Sequence, residues 1–95
     1  MSNSIFNEAK KRAEALNQIT ANKLPAADAV PSLMNFALAE LRRIWTSGTD
    51  SNQIRAYALI LLAAIEKMQA YAPNSAALMP EDSNFISDTA RLLRC

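Results

Sequence analysis

Apolar positions recur along most of this chain at steps of three and four residues, and one stretch breaks that rhythm by being apolar throughout. From Ala56 to Ile65 the sequence reads AYALILLAAI, ten residues whose only polar side-chain group is a tyrosine hydroxyl. A short apolar run fits either a buried strand or a buried helix, so composition and flanks decide. This run holds four alanines and three leucines and neither valine nor threonine, and alanine and leucine are the strongest helix formers. Asp50 or Ser51 can cap its start, with Gln53 three residues after Asp50 in the spacing of a capping box. Good helix formers continue through Tyr71 until Pro73 stops the helix. The pattern predicts a helix over about 51–72, roughly 33 Å long at 1.5 Å per residue. Arg55 and Glu66 bracket only ten uncharged residues, whereas a membrane span needs about 20. The run is therefore expected at the centre of a water-soluble bundle.

Three further helices are expected around it. Over 4–22, with Ser4 or Asn3 as cap, Phe6, Ala9, Ala13, Leu16 and Ile19 form a stripe thinned by its alanines. Such a helix belongs at the edge of a bundle. Lys10, Lys11 and Arg12 fall on its polar side, with Glu8 and Glu14 four residues from Arg12 and Lys10. Pro25 then disfavours helix at Leu24, Asp28 offers an N-cap, and Pro31 falls at the third helical position. A second helix over 29–47 carries the broadest apolar stripe: Val30, Leu33, Met34, Ala37, Leu38, Leu41, Ile44 and Trp45. Gly48, the only glycine, stands where a helix C-cap wants it. Pro73 to Asp82 reads as a loop, with one helical turn at Ser75–Met79 whose Leu78 and Met79 plug a gap. The last helix covers 83–94 and buries Phe85, Ile86, Thr89, Leu92 and Leu93. The fold class expected is all-α, a four-helix bundle forming one domain over 1–95, with the third helix central.

Composition narrows function mainly by exclusion. The chain has 95 residues, a formal net charge of +1 and a hydrophobic fraction of 51%. It can build a core, and its charge balance shows no bias toward nucleic acid, anionic membrane or acidic substrates. It has no histidine, which removes His-based acid–base catalysis and Ser-His or Cys-His nucleophiles. Its single cysteine, Cys95, cannot form an internal disulfide, and the scattered carboxylates offer no zinc site. One glycine rules out a glycine-rich phosphate loop. Glu66, beside the apolar run, is the only acid with a prospect of partial burial, and a solvated edge position is the simpler reading. No enzyme activity, cofactor, metal or small-molecule substrate is expected. The start of the chain lacks a basic-then-apolar leader, so a cytoplasmic protein is the expectation.

The charges have a structural explanation. Asp28, Asp50, Glu81 and Asp82 fall at predicted helix starts, and Lys23, Arg42, Arg43, Arg91 and Arg94 toward helix ends, where each complements the helix dipole. Two functional patterns remain. Ile44, Gly48 and Ile54 stand at helix-turn-helix offsets over about 36–57, so that Ser51, Asn52, Gln53 and Arg55 would open a recognition helix. That helix turns wholly apolar after Arg55, leaving only its first turn to enter a groove. The other pattern is surplus apolar surface: the third helix is apolar on nearly all sides, with three shorter helices to cover it. Uncovered apolar patches mark partner surfaces. Trp45 beside Arg42 and Arg43 has the composition of an interface hot spot, and Tyr57 and Met34 extend that candidate set. The expectation is a non-catalytic protein–protein interaction module that binds another protein or itself, a homodimer included. A small DNA-binding regulator using Ser51 to Arg55 is the alternative.

Overall fold

In a computed structural model the chain forms α1 (Ser2–Thr20), α2 (Val30–Ser47), α3 (Asn52–Tyr71) and α4 (Pro80–Arg94), with a 3₁₀ turn at Ala27–Ala29 leading into α2. Residues 2–48, 51–75 and 78–94 are described, of which residues 2–9 and Ser47 are described by backbone alone. Among the described residues there is no strand. The fold is the expected all-α bundle, and α3 packs against α1, α2 and α4.

The boundaries follow from local chemistry. α1 ends two residues before the expected limit because Asn22 takes a left-handed conformation with φ 68°. The Lys23 N–H donates to Gln18 O and the Asn22 N–H to Ile19 O, which is a Schellman closure with asparagine in the place glycine usually holds. At the other end α1 begins at Ser2, so Asn3 and Ser4 lie inside the helix rather than capping it. Asp28 sits within the 3₁₀ turn and makes no capping hydrogen bond, and Pro31 occupies the second helical position, not the third. Gly48 closes α2 with φ 109°, its N–H donating to Ile44 O. Ser51 caps α3, its hydroxyl accepting from the Gln53 N–H at 3.2 Å. The other cap proposed for α3, Asp50, lies outside the described residues. α4 starts three residues before the expected 83 because Pro80 opens it, at a first-turn position where no intrahelical N–H is needed.

The core is one cluster. Leu16 and Ile19 of α1 and the α2 stripe from Val30 to Ile44 close on Ala58, Leu61, Leu62, Ala64, Ile65 and Met68 of α3, with Ile86 and Leu93 arriving from α4. Leu61, Leu62, Ile65 and Met68 are fully buried, each contributing about 1.5–3 kcal/mol by removal from water. Ala58 and Ala64, also fully buried, keep the α3 surface low where neighbouring helices cross it. Leu92, expected in the core, is 58% exposed. Ile86, Thr89 and Leu93 define the buried arc of α4, and at 100° per residue Leu92 falls at its edge, about 60° from Thr89 and about 100° from Leu93. Met79, expected to plug a gap, is 62% exposed, while Leu78 does pack against the core. The rest of the expected turn over 75–79 falls partly outside the described residues.

Polar ties record the helix directions. Tyr57 of α3 meets Glu40 of α2, while Tyr71 at the end of α3 donates to Pro25 O ahead of α2, so these helices are antiparallel. Lys67 near the end of α3 donates to Thr20 O and Asn22 Oδ1 at the end of α1, so α1 and α3 run together. α4 is held by Arg42–Asp82 at one end and by the two-pronged Arg94–Glu66 pair at the other.

A candidate interaction surface

The side chains singled out in the sequence do not form one patch. Met34 is 3% exposed and belongs to the core, where with Leu38, Leu78 and Asp82 it lines a concavity beside the connection into α4. Its position in the α2 stripe already carried that outcome, since neighbours Leu33, Ala37 and Leu38 are buried with it. Arg42 and Arg43 are adjacent in sequence but 100° apart around α2, and they serve different neighbours. Arg42 pairs with Asp82 and lies over the Phe85 ring, 4.4 Å from its centroid, so it fastens α4 to α2. Arg43 binds both oxygens of Glu40, at 2.9 and 3.1 Å. Trp45 is half-buried and packed against the core.

Tyr57 completes a second network. Its hydroxyl donates to Glu40 Oε2 at 2.9 Å, the oxygen that also accepts from Arg43. The Arg43 hydrogen bond holds the Glu40 carboxyl below its ordinary value, against burial and with help from Tyr57. Burial first, and then the bond to Glu40, push the Tyr57 hydroxyl up to about 12. The arrangement positions Tyr57 with its hydroxyl tied down and its ring at the margin of α3.

That ring borders an open concavity, a groove of about 340 Å³ between α1 and α3. Ala13 and Ile60 line it with Tyr57, and Lys10, Glu14 and Asn17 of α1 form its outer wall. Its origin is the thin apolar stripe of α1. Where a bulky α1 residue would have covered Ile60, the helix presents Ala13. Lys10, Ala13, Glu14, Asn17 and Ile60 were not singled out as a site from sequence. The signal present was the excess of apolar α3 positions over what a thin α1 can cover, but it did not say which ones stay open.

Arg12, expected on the polar side of α1, instead lies half-buried over Phe36 of α2, 5.8 Å from the ring centroid. Its expected neighbour Glu8 lies outside the described side chains, and Glu14 makes no ion pair with Lys10. Glu66 is a half-exposed surface acid paired with Arg94. The residues of the nucleic-acid alternative open α3: Ser51 is engaged as cap, Asn52 and Gln53 are exposed, and Arg55 is half-buried. From Ala58 onward the helix enters the core, so a duplex could meet only its first turn. Among the described residues no group of acids or thiols is placed to hold a metal ion, and no helix is long and apolar enough to cross a membrane.

No family model matches the chain, and neither a curated protein nor a solved structure matches it.

Proposed function

We propose that this protein works by binding another protein chain, without catalysis, through the groove between α1 and α3, in a cytoplasmic setting. The observation that supports the reading is the groove itself: Ala13, Tyr57 and Ile60 present apolar surface in a concavity that Lys10 and Glu14 also line. Tyr57 and Ile60 belong to the central helix, so an occupant would dock on the element that carries the middle of the core. An adaptor, a chaperone for another chain, an inhibitor or a regulatory subunit would each use such a surface.

The test is capture of partners by the wild-type chain and by Ile60→Lys. Ile60 is only partly buried, so the variant should keep its helicity and most of its stability while losing the partner. A partner retained by a folded Ile60→Lys would remove the groove from consideration. The DNA-binding alternative draws on the exposed Asn52 and Gln53 at the start of α3. It would be favoured if capture depended on nucleic acid and collapsed steeply with salt through counterion release.

A further inference from the structure

We infer that the occupant of the α1–α3 groove is the α1 helix of a second copy of this chain, docked antiparallel about a two-fold axis. This rests on the reading of the groove as an interaction surface and adds the identity of the partner. The argument comes from the rim. Lys10 and Glu14 stand one helical turn apart on the same wall, both exposed, and among the described residues neither takes part in an ion pair. A two-fold axis crossing α1 midway between them sets Lys10 against the second copy's Glu14, and Glu14 against its Lys10. Opposite charges flanking such an axis are self-complementary, which is the condition an isologous interface imposes.

The steric conditions agree. Ala13 lies beside the axis, and with no side chain beyond Cβ it lets the two α1 helices approach at the short end of the usual 8–10 Å range. At that distance each α1 lies along the other's groove and covers Ile60 and the Tyr57 ring, the apolar surface this chain cannot cover alone. Because α1 and α3 run in the same direction, the result is a four-helix layer of two parallel pairs, with antiparallel dipoles across the axis.

Sedimentation equilibrium of the full chain at low salt tests this. The wild type should dimerise. Lys10→Glu and Glu14→Lys should each weaken dimerisation about tenfold, since each turns two attractive contacts into two repulsive ones, with helicity unchanged by circular dichroism. The decisive arm is an equimolar mixture of the two variants, which should recover association as a heterodimer. The double variant Lys10→Glu/Glu14→Lys should recover it as a homodimer. A wild type that stays monomeric would overturn the inference. So would a dimer indifferent to both single reversals, or a mixture no better associated than its components. A monomeric wild type that still captures another protein, and loses it on Ile60→Lys, would remove the second copy while leaving the groove's role in place.

Discussion

At the scale of single residues, the Glu40–Arg43–Tyr57 network makes stability depend on pH at both ends. Tyr57 holds its proton up to about 12 when folded, against 10.0 ordinarily. Between those values the unfolded chain has released a proton that the folded chain retains. Its contribution is therefore complete below pH 10 and lost as pH rises toward 12. Glu40 acts in the opposite sense. Its folded value lies below the ordinary 4.5, chiefly through Arg43, so its contribution is present above that pH and lost as the medium is acidified through the depressed value. Urea unfolding of Tyr57→Phe should show a loss of about 1 kcal/mol at neutral pH and a shallower decline between pH 10 and 12 than the wild type. An identical alkaline decline would show that Tyr57 does not cause it. Gly48 is a second residue whose role is conformational. At φ 109°, with nothing within 4 Å of where a Cβ would stand, Gly48→Ala meets no clash, only backbone strain. It should cost about 1–3 kcal/mol, read as a lowered urea midpoint at unchanged slope.

At the scale of elements, the attachment of α1 is informative. Of the charges expected to complement helix dipoles, those of α4 lie within its own end turns, Glu81 and Asp82 in the first and Arg91 and Arg94 in the last, whereas Asp50 lies outside the described residues. The end of α1 is served from another helix instead. The Lys67 ammonium donates to Thr20 O and to Asn22 Oδ1, placing a cation at the carbonyl end of the dipole. Lys67→Ala should cost about 1 kcal/mol, and native-state hydrogen exchange should find the loss concentrated in the last turns of α1. A uniform loss of protection over all four helices would count against this local role. The thin apolar stripe of α1 opens the groove. A helix that commits Leu16 and Ile19 to the core and offers Ala13 beside Ile60 cannot close its outer side.

At the scale of the whole molecule, one apolar cluster of described residues joins all four helices. Unfolding should be two-state. The only tryptophan, Trp45, packs against that cluster near the end of α2, so its fluorescence should change at the same urea concentration as far-UV circular dichroism. Separated transitions would mean that α2 or α4 comes away before the rest.

What the sequence by itself determined is the class of fold and the number and type of its elements. Helical periodicity, alanine and leucine content, Gly48 and Ser51 are local signals, and local signals survive without knowledge of the neighbours. Most misplacements at element ends were a matter of competing local chemistry: Pro80 as a first residue, Asn22 in a left-handed turn, Asp28 drawn into a 3₁₀ turn. Which side of each helix meets which neighbour was decided only in the tertiary structure. Met34 went inward, Leu92 outward, Arg12 over Phe36, and Arg42 and Arg43 to separate neighbours. The groove belongs to this second kind. It is a shortfall between two helices, Ala13 against Ile60, and no property of either sequence segment alone records the space left between them.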